Sequence, residues 1–547
     1  MQPEKYDCVG PSFAVVIGNC ASAWDRGAWN DETMKSTRKL ISLLAALTLA
    51  GCAYFGGEED GAYSHASAER VFVVGFSDIQ QIYIDEPVMH DLVVAGLKGL
   101  RKIEPDLDVE YEKANLRLLI GNKTVVTTRV AKAGDAAAWA KAIVRMLDEM
   151  REISKPLGAA TSEDIYQAVF AGAVRKLDPY TRYASAAKAR ENRAKRGGFG
   201  GIGLIIEAHE DGARIKAVSR GKPGDKAGVV VGDRIVAIGE VALTGYTLRQ
   251  VVRLLRGPVG TEVALTLRRG EKGEPFVVTL TRARIINNTV FYARRGDVGY
   301  IRVSGFNQAT SKRVLSAVQR ARKDVGKNIR GLIIDMRGNP GGLLDQAVAM
   351  ADLFLRSGQI ISTRGRHPNS LQLFDAKGSD VFEGLPIAVL VDGASASAAE
   401  IVASALQDQG RAVIVGTRSF GKGTVQTVLR LPNDGELVLT WARIHAPSGY
   451  VLHRLGVLPT VCTSNAEDAT SALDTLIGKA ADILRRNLSA RRAADHQDKS
   501  DQESIKALCP WQPREDKDFD LEVAEKLLGK RDLYDKALAY ARPEAGS

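Results

Sequence analysis

Ile387-Ala388-Val389-Leu390-Val391-Asp392-Gly393-Ala394-Ser395-Ala396-Ser397-Ala398-Ala399-Glu400 opens the stretch that decides the fold. It continues through Ala412-Val413-Ile414-Val415-Gly416 to Phe420-Gly421-Lys422-Gly423-Thr424-Val425-Gln426. Residues 387–391 and 412–415 read as buried strands, being short, rich in branched apolar residues and closed by turn-forming residues. Between them, residues 398–406 carry an apolar face at helical spacing that runs out at Gly410. A strand–helix–strand unit makes a parallel pair whose loops gather at one end of the sheet. Ser397 then falls in the first turn of the helix, where unpaired N–H groups and the positive dipole end favour a developing negative charge. Lys422 follows the second strand, between glycines that let the chain approach a neighbour. One hydroxyl and one amine are thus expected at the same edge.

A serine hydroxyl attacks poorly until a base takes its proton, and a neutral lysine can be that base. Burial disfavours the ammonium and lowers the lysine pKa, which makes a Ser–Lys dyad workable near neutral pH. The plainer reading stands beside it: a serine-capped helix start and a surface lysine in a turn.

Residues 395–400, Gly416 and residues 420–426 resemble the signature of the carboxy-terminal processing peptidases, the PDZ-bearing Ser/Lys endopeptidases also called tail-specific proteases. The resemblance runs from about Leu177 to Pro459. It implies Ser397 as nucleophile, Lys422 as base and Gln426 as the glutamine that orients the lysine. It also implies a multidomain α/β (α+β) fold. In that fold a peptidase core of β-α-β units (a crotonase- or Clp-protease-like spiral) carries an inserted PDZ domain and helical N- and C-terminal parts. Asp335-Met336-Arg337-Gly338-Asn339-Pro340-Gly341-Gly342 matches the family's Asp-x-Arg-x-Asn-x-Gly-Gly. Glycine N–H groups at a strand-to-helix turn suit an oxyanion hole, so one donor is assigned to Gly341 or Gly342 and the other to Ala398. A tight turn with no further role is the alternative for these glycines. Asp335 and Arg337 are expected to pair and hold the loop. Three departures stand out: Ala399 for the family's third serine, Tyr180 for the histidine of Leu-Asp-Pro-His-Thr, and Thr460 for the aspartate after proline.

The 547 residues imply several domains. Residues 1–33 show no fold pattern and read as an extension upstream of the true start. Residues 34–51 pair a basic start with a short apolar run, a lipoprotein signal peptide too short to span a membrane. Leu49-Ala50-Gly51-Cys52 resembles a lipobox, implying cleavage before Cys52 and lipid on its thiol. Ala53 lacks the aspartate that retains similar lipoproteins at the inner membrane, so an outer-membrane anchor facing the periplasm is expected. Residues 52–68 form a tether, and 69–196 a mixed helical region with no chemistry of its own. Within it residues 71–76 and 116–120 read as strand-like runs, and 135–153 and Ser162–Val174 as helices.

Residues 197–286 resemble a PDZ domain. Gly201, Ile202, Gly203, Leu204 and Ile206 supply the carboxylate loop and the strand edge that would bind a peptide end. Leu248 and Val252, on a helix with Val251 and Leu255, would line either the groove or the core. The peptidase core occupies 287–463, and 464–547 a helical C-terminal region with a hydrophilic linker at 489–503.

The net charge of +10 is spread over interleaved acids and bases without aromatic partners, so no nucleic-acid partner is expected. Neither a His-Glu-x-x-His pair nor cysteines at zinc spacing occur, so no metal or cofactor is expected. A histidine-based triad is the rival mechanism, but His445, His453 and His496 lie in no motif that supplies a base. Of the five cysteines, Cys8 and Cys20 lie upstream and Cys52 at the lipidation site; Cys462 and Cys509 remain, able to bridge in an oxidising compartment. The expectation is a periplasmic serine endopeptidase acting on unfolded or C-terminally exposed envelope proteins, with an adaptor lipoprotein and a homo-oligomer left open. The alternative is a catalytically silent PDZ scaffold lipoprotein with a peptidase-like core.

Overall fold

Alternate residues of the central strands face two different cores. Leu332 and Ile334 of Gly331–Asp335, and Ile387, Val389 and Val391 of Ile387–Val391, pack on one side. Ile333, Ala388 and Leu390 pack on the other. Both strands are buried along their whole length, as the continuous apolar runs require of a sheet covered on both faces. The structure, a computed structural model, describes residues 63–130, 134–270, 273–512 and 518–543. The proposed signal segment, the lipidation site Cys52, Cys8, Cys20 and most of the tether lie outside the described residues.

The central sheet runs Val290–Arg295, Val298–Val303, Gly331–Asp335, Ile387–Val391, Val413–Gly416, Val461–Cys462. Its first pair is antiparallel and the rest are parallel. Helices Thr310–Val325, Leu344–Asp352 and Ala398–Asp408 cover one face. The opposite face is covered by the C-terminal region, with Phe519, Leu521, Val523, Leu527 and Tyr534 in its core. Each fully buried leucine or valine contributes roughly 1.5–3 kcal/mol, so this region is part of the central-sheet domain. The linker expected at 489–503 is replaced by helices Gly478–Ala493 and Lys499–Leu508. Asp498 caps the second by accepting from Asp501 N, a cap hidden in a run that reads only as hydrophilic.

A second, antiparallel sheet is ordered Gln372–Asp375, Gln359–Arg364, Glu436–His445, Thr424–Arg430. Arg182–Ala184 adds to the start of its third strand. On it rests the N-terminal region, whose core joins Phe72, Phe76, Trp139 and Phe170 to Leu431, Leu437 and Leu439. Residues 71–76 are not a strand: they lie inside helix His65–Ile82, which buries Ala68, Val71, Phe72, Gly75, Phe76 and Ile79 on one face. A six-residue apolar run does not separate a strand from a buried helix turn, and the branched residues bias the reading toward strand. Residues 116–120 are a strand as expected, within Asn115–Ile120.

The inserted module is a sheet ordered Pro275–Thr281, Glu262–Arg268, Arg234–Ile238, Gly212–Val218, Leu204–His209, with helix Leu248–Leu255 beside its last strands. At its root, Phe199–Gly201 pairs antiparallel with Ala283–Ile285, so the entering and leaving chains run side by side.

Candidate active site

Three loops leave the carboxyl ends of adjacent parallel strands: 336–343 after Gly331–Asp335, 392–397 after Ile387–Val391, and 417–423 after Val413–Gly416. Such an edge is where α/β sheets place ligands. The first loop is fixed by Asp335, whose carboxylate takes two bonds from the Arg337 guanidinium at 3.0 and 2.8 Å and one from Tyr300 Oη at 2.7 Å. Arg337 also reaches Asp520 at 3.2 Å, tying the loop to the C-terminal helices. These partners hold the Asp335 carboxyl below its usual range against the opposing pull of burial. Pairing Asp335 with Arg337 is the structural role expected of them.

Ser397 caps helix Ala398–Asp408 from a positive φ of 56°. A serine pays roughly 1–3 kcal/mol for such backbone, a strain that accumulates at functional sites. The Ala396 N–H donates to Asn339 O at 2.9 Å, seating the second loop on the first. Gly341 faces it: a Cβ there would lie 2.9 Å from Ser397 Cβ and 3.0 Å from Ala398 N. That glycine is needed for close approach as well as for its φ of +98°.

Of the expected oxyanion donors, the Gly341 N–H is already taken, donating to Asn339 Oδ1 at 2.9 Å. Gly341 therefore gives access rather than a free donor. Among the described residues the Gly342 and Ala398 N–H groups have no hydrogen-bond partner.

The second and third loops meet at Glu400. This carboxylate is fully buried and accepts four bonds: Ser419 Oγ at 2.5 Å and Gly421 N at 2.7 Å on Oε1, Ser397 N at 2.7 Å and Lys422 N at 2.9 Å on Oε2. One oxygen thus holds the main-chain amides of both Ser397 and Lys422. Burial pushes the Glu400 carboxyl up, with the four donors opposing. Glu400 is left without a role by the motif reading; the Ser-x-x-Glu spacing of a helix-start capping box is the signal that finds it.

The Lys422 ammonium lies 5.1 Å from the centre of the Tyr180 ring. Burial lowers the Lys422 pKa, Arg182 lowers it further, and Glu400 and Asp178 pull the other way. The turn holding Tyr180 is set by Asp178, which accepts from Tyr180 N at 2.7 Å and Thr181 Oγ1 at 2.6 Å. The N-terminal region therefore places Tyr180, Asp178 and Arg182 around Lys422. The sequence hides this because some 240 residues separate the partners, and contact across that distance leaves no local pattern.

Gln426 lies on the strand that follows Lys422 and bonds to two threonines. Its Nε2 donates to Thr424 Oγ1 at 2.9 Å and Thr440 Oγ1 at 3.3 Å, and Thr440 Oγ1 donates to Asp178 at 3.0 Å. The glutamine thus braces the Tyr180 turn, and among the described residues no hydrogen bond joins it to Lys422. Nor does one join Ser397 Oγ to Lys422 Nζ; the link between these residues is Glu400. Catalytic hydrogen bonds are often long before substrate arrives.

His453 packs edge-on to Tyr180 and to His496, with ring centres 6.2 and 6.4 Å apart, and burial pushes it down to about 4. His445 contacts Gly449 O, and none of the three hydrogen-bonds Ser397 among the described residues. No cluster of metal-ligating side chains occurs among the described residues.

In the inserted module, Leu204–His209 is an edge strand, with Leu204 and Ile206 half-buried beside Leu248 and Val252. Val251 and Leu255 turn into the module's core, which resolves the two roles that spacing alone leaves open. Two of the residues expected at the groove are tied into the module's frame. Ile202 is buried in that core, its carbonyl accepting from Gly224 N at 2.8 Å. Gly201 pairs with Ala283 in the root ribbon. Gly203, at φ +80°, turns the chain into the edge strand Leu204–His209. Cys462 and Cys509 are joined, with Cα atoms 5.9 Å apart.

Residues 297–463 match the model of peptidase family S41, and residues 214–269 that of the PDZ domain. A carboxy-terminal-processing protease of Bartonella bacilliformis is 38% identical over 364 residues, 65% of this chain and 81% of that protein. A Staphylococcus aureus protein described as "Probable CtpA-like serine protease" is 33% identical over 310 residues, 55% of this chain and 60% of that one. The solved PDZ domain of a Vibrio cholerae carboxy-terminal protease, in complex with peptide, is 30% identical; the match covers 16% of this chain and 96% of that domain, with a TM-score of 0.15. With a parallel-sheet core, a PDZ module inserted ahead of it and a relative matched over most of its length, the chain belongs to the carboxy-terminal processing peptidases of family S41.

Proposed function

We propose that the protein is a serine endopeptidase in which Lys422 takes the proton of Ser397 as its hydroxyl attacks a peptide carbonyl. The observation that carries this reading is the single Glu400 oxygen accepting from both amides, which holds a strained, helix-capping serine beside a lysine disposed to be neutral. The oxyanion would form against the N–H groups of Gly342 and Ala398. The acyl-enzyme is then hydrolysed by water with Lys422 again the base. The PDZ groove of Leu204, Ile206, Leu248 and Val252 would capture an exposed C-terminal end by strand addition. Because residues 34–52 carry a lipoprotein signal and the core a disulfide, the site of action is proposed to be the periplasmic face of a bacterial envelope, with envelope proteins as substrates.

Cleavage of unfolded β-casein is the test. Ser397→Ala and Lys422→Ala should each abolish it while the melting temperature stays within a few degrees of wild type. Cutting by Ser397→Ala at the wild-type rate refutes the assignment. The silent-scaffold reading draws on the lack of a direct Ser397–Lys422 hydrogen bond; wild-type protein that neither cuts casein nor takes up a fluorophosphonate label would favour it.

A further inference from the structure

Two large aromatic rings stand exposed around the Ser397 loop, Phe420 at 52% and Trp511 at 55%. Phe420 belongs to the family's signature motif, and its N–H donates to Ser395 O at 3.0 Å. Trp511 comes from the C-terminal region, 118 positions beyond the glycine it covers. A Cβ at Gly393 would fall 2.5 Å from its ring, so the indole lies directly on the loop four residues before Ser397. Gly393 is not among the positive-φ glycines, so the close approach of this ring is what demands a residue without a side chain.

The position of Trp511 is built by several independent ties. Cys509 is bonded to Cys462 at the end of the last parallel strand. The Arg418 N–H donates to Cys509 O at 3.2 Å, and Ser464 Oγ donates to Pro510 O. Asn465 N donates to Gln512 Oε1 at 3.0 Å. These ties lie on both sides of Trp511, so the backbone carrying the ring is held while half the ring remains in solvent. Of residues 394–396 of the loop, only the small Ala394 is exposed, Ser395 and Ala396 being buried. Rigid aromatic surface left open beside a reacting group is the kind that anchors an apolar partner.

We infer that Trp511, clamped over the Ser397 loop by the Cys462–Cys509 bond, is a specificity-determining wall of the substrate cleft, selecting peptides with a bulky apolar side chain beside the cleaved bond. The inference rests on Ser397 being the nucleophile.

The experiment uses the full chain. Sites cut in unfolded β-casein are mapped by mass spectrometry, and internally quenched peptides are built around one of them with phenylalanine or alanine at each flank of the bond in turn. At one flank the wild type should prefer phenylalanine. Trp511→Ala should lower kcat/KM for that peptide about tenfold while the alanine peptide stays within twofold. Trp511→Phe should keep most of the preference, and Cys462→Ser/Cys509→Ser should lose part of it. An unchanged ratio, or equal losses on both peptides, overturns the proposal. Should Trp511→Ala melt early, Trp511→Gln keeps a long side chain over Gly393 and reads the same ratio. Ser397→Ala must be dead on every peptide; activity there sinks the nucleophile assignment, whereas a flat Trp511 ratio with a dead Ser397→Ala sinks only this inference.

Discussion

Glu400 aligns two loops with four hydrogen bonds from one buried side chain. In Glu400→Gln the amide nitrogen would face N–H groups it cannot accept from, so at least one pair of donors loses its partner. Charge-assisted bonds of this kind are worth roughly 1.5–3 kcal/mol each, and thermal melting should register a loss of that order. Because a misplacement of about 1 Å can cost on the order of a hundredfold in rate, kcat on casein should fall about that much. Glu400→Asp should not rescue it, its carboxylate being too short to span both loops. Lys422 sets the pH dependence. Only its neutral form accepts a proton, so kcat/KM should rise with pH through a single ionisation lying below the ordinary lysine value of 10.5. Desolvation and Arg182 depress that ionisation, so Arg182→Gln should move the midpoint upward. A profile with no ionisation below the ordinary lysine value would count against Lys422 as the titrating base.

Among elements, the strands and helix around Ser397 are legible because each is a short run with one dominant signal. Ile387–Val391 matches its expected bounds, and helix Ala398–Asp408 extends its pattern by only two residues. The errors share a cause: where two elements are compatible with one local pattern, tertiary contact decides. Residues 71–76 became helix because Phe72, Phe76 and Phe170 need one face to cluster. The motif glycines were legible as a pair, but which one keeps a free N–H depends on where Asn339 points. Tyr180 could be located but not assigned a partner, since Lys422 lies on a distant element. The same division predicts behaviour in the PDZ module. Val252→Glu, at the proposed groove, should weaken binding of an apolar C-terminal peptide at least tenfold by fluorescence polarisation with little change in melting. Ile202→Ala, in the core, should instead destabilise the module by about 2–4 kcal/mol. Loss of peptide binding by Ile202→Ala in a module that melts normally would return Ile202 to the groove.

For the whole molecule, the C-terminal helices complete the central sheet. Removing residues 519–547 would bare the face formed by Ile333, Ala388, Leu390, Val413 and Val415, and would free Arg337 from Asp520. The truncated chain should be recovered as aggregate, whereas removal of residues 1–62, none of which the structure describes, should leave casein cleavage by the remainder intact; sedimentation and activity of the two proteins check this. The ribbon of Phe199–Gly201 with Ala283–Ile285 has a different consequence. Since both crossings of the border are zipped together, everything from 202 to 282 hangs from the rest as a cassette whose ends already meet. Such a cassette can be excised and the gap closed by a short turn, or exchanged for a relative's. Recognition and bond-breaking can therefore be inherited separately, with new client preferences grafted onto an unchanged cutting engine.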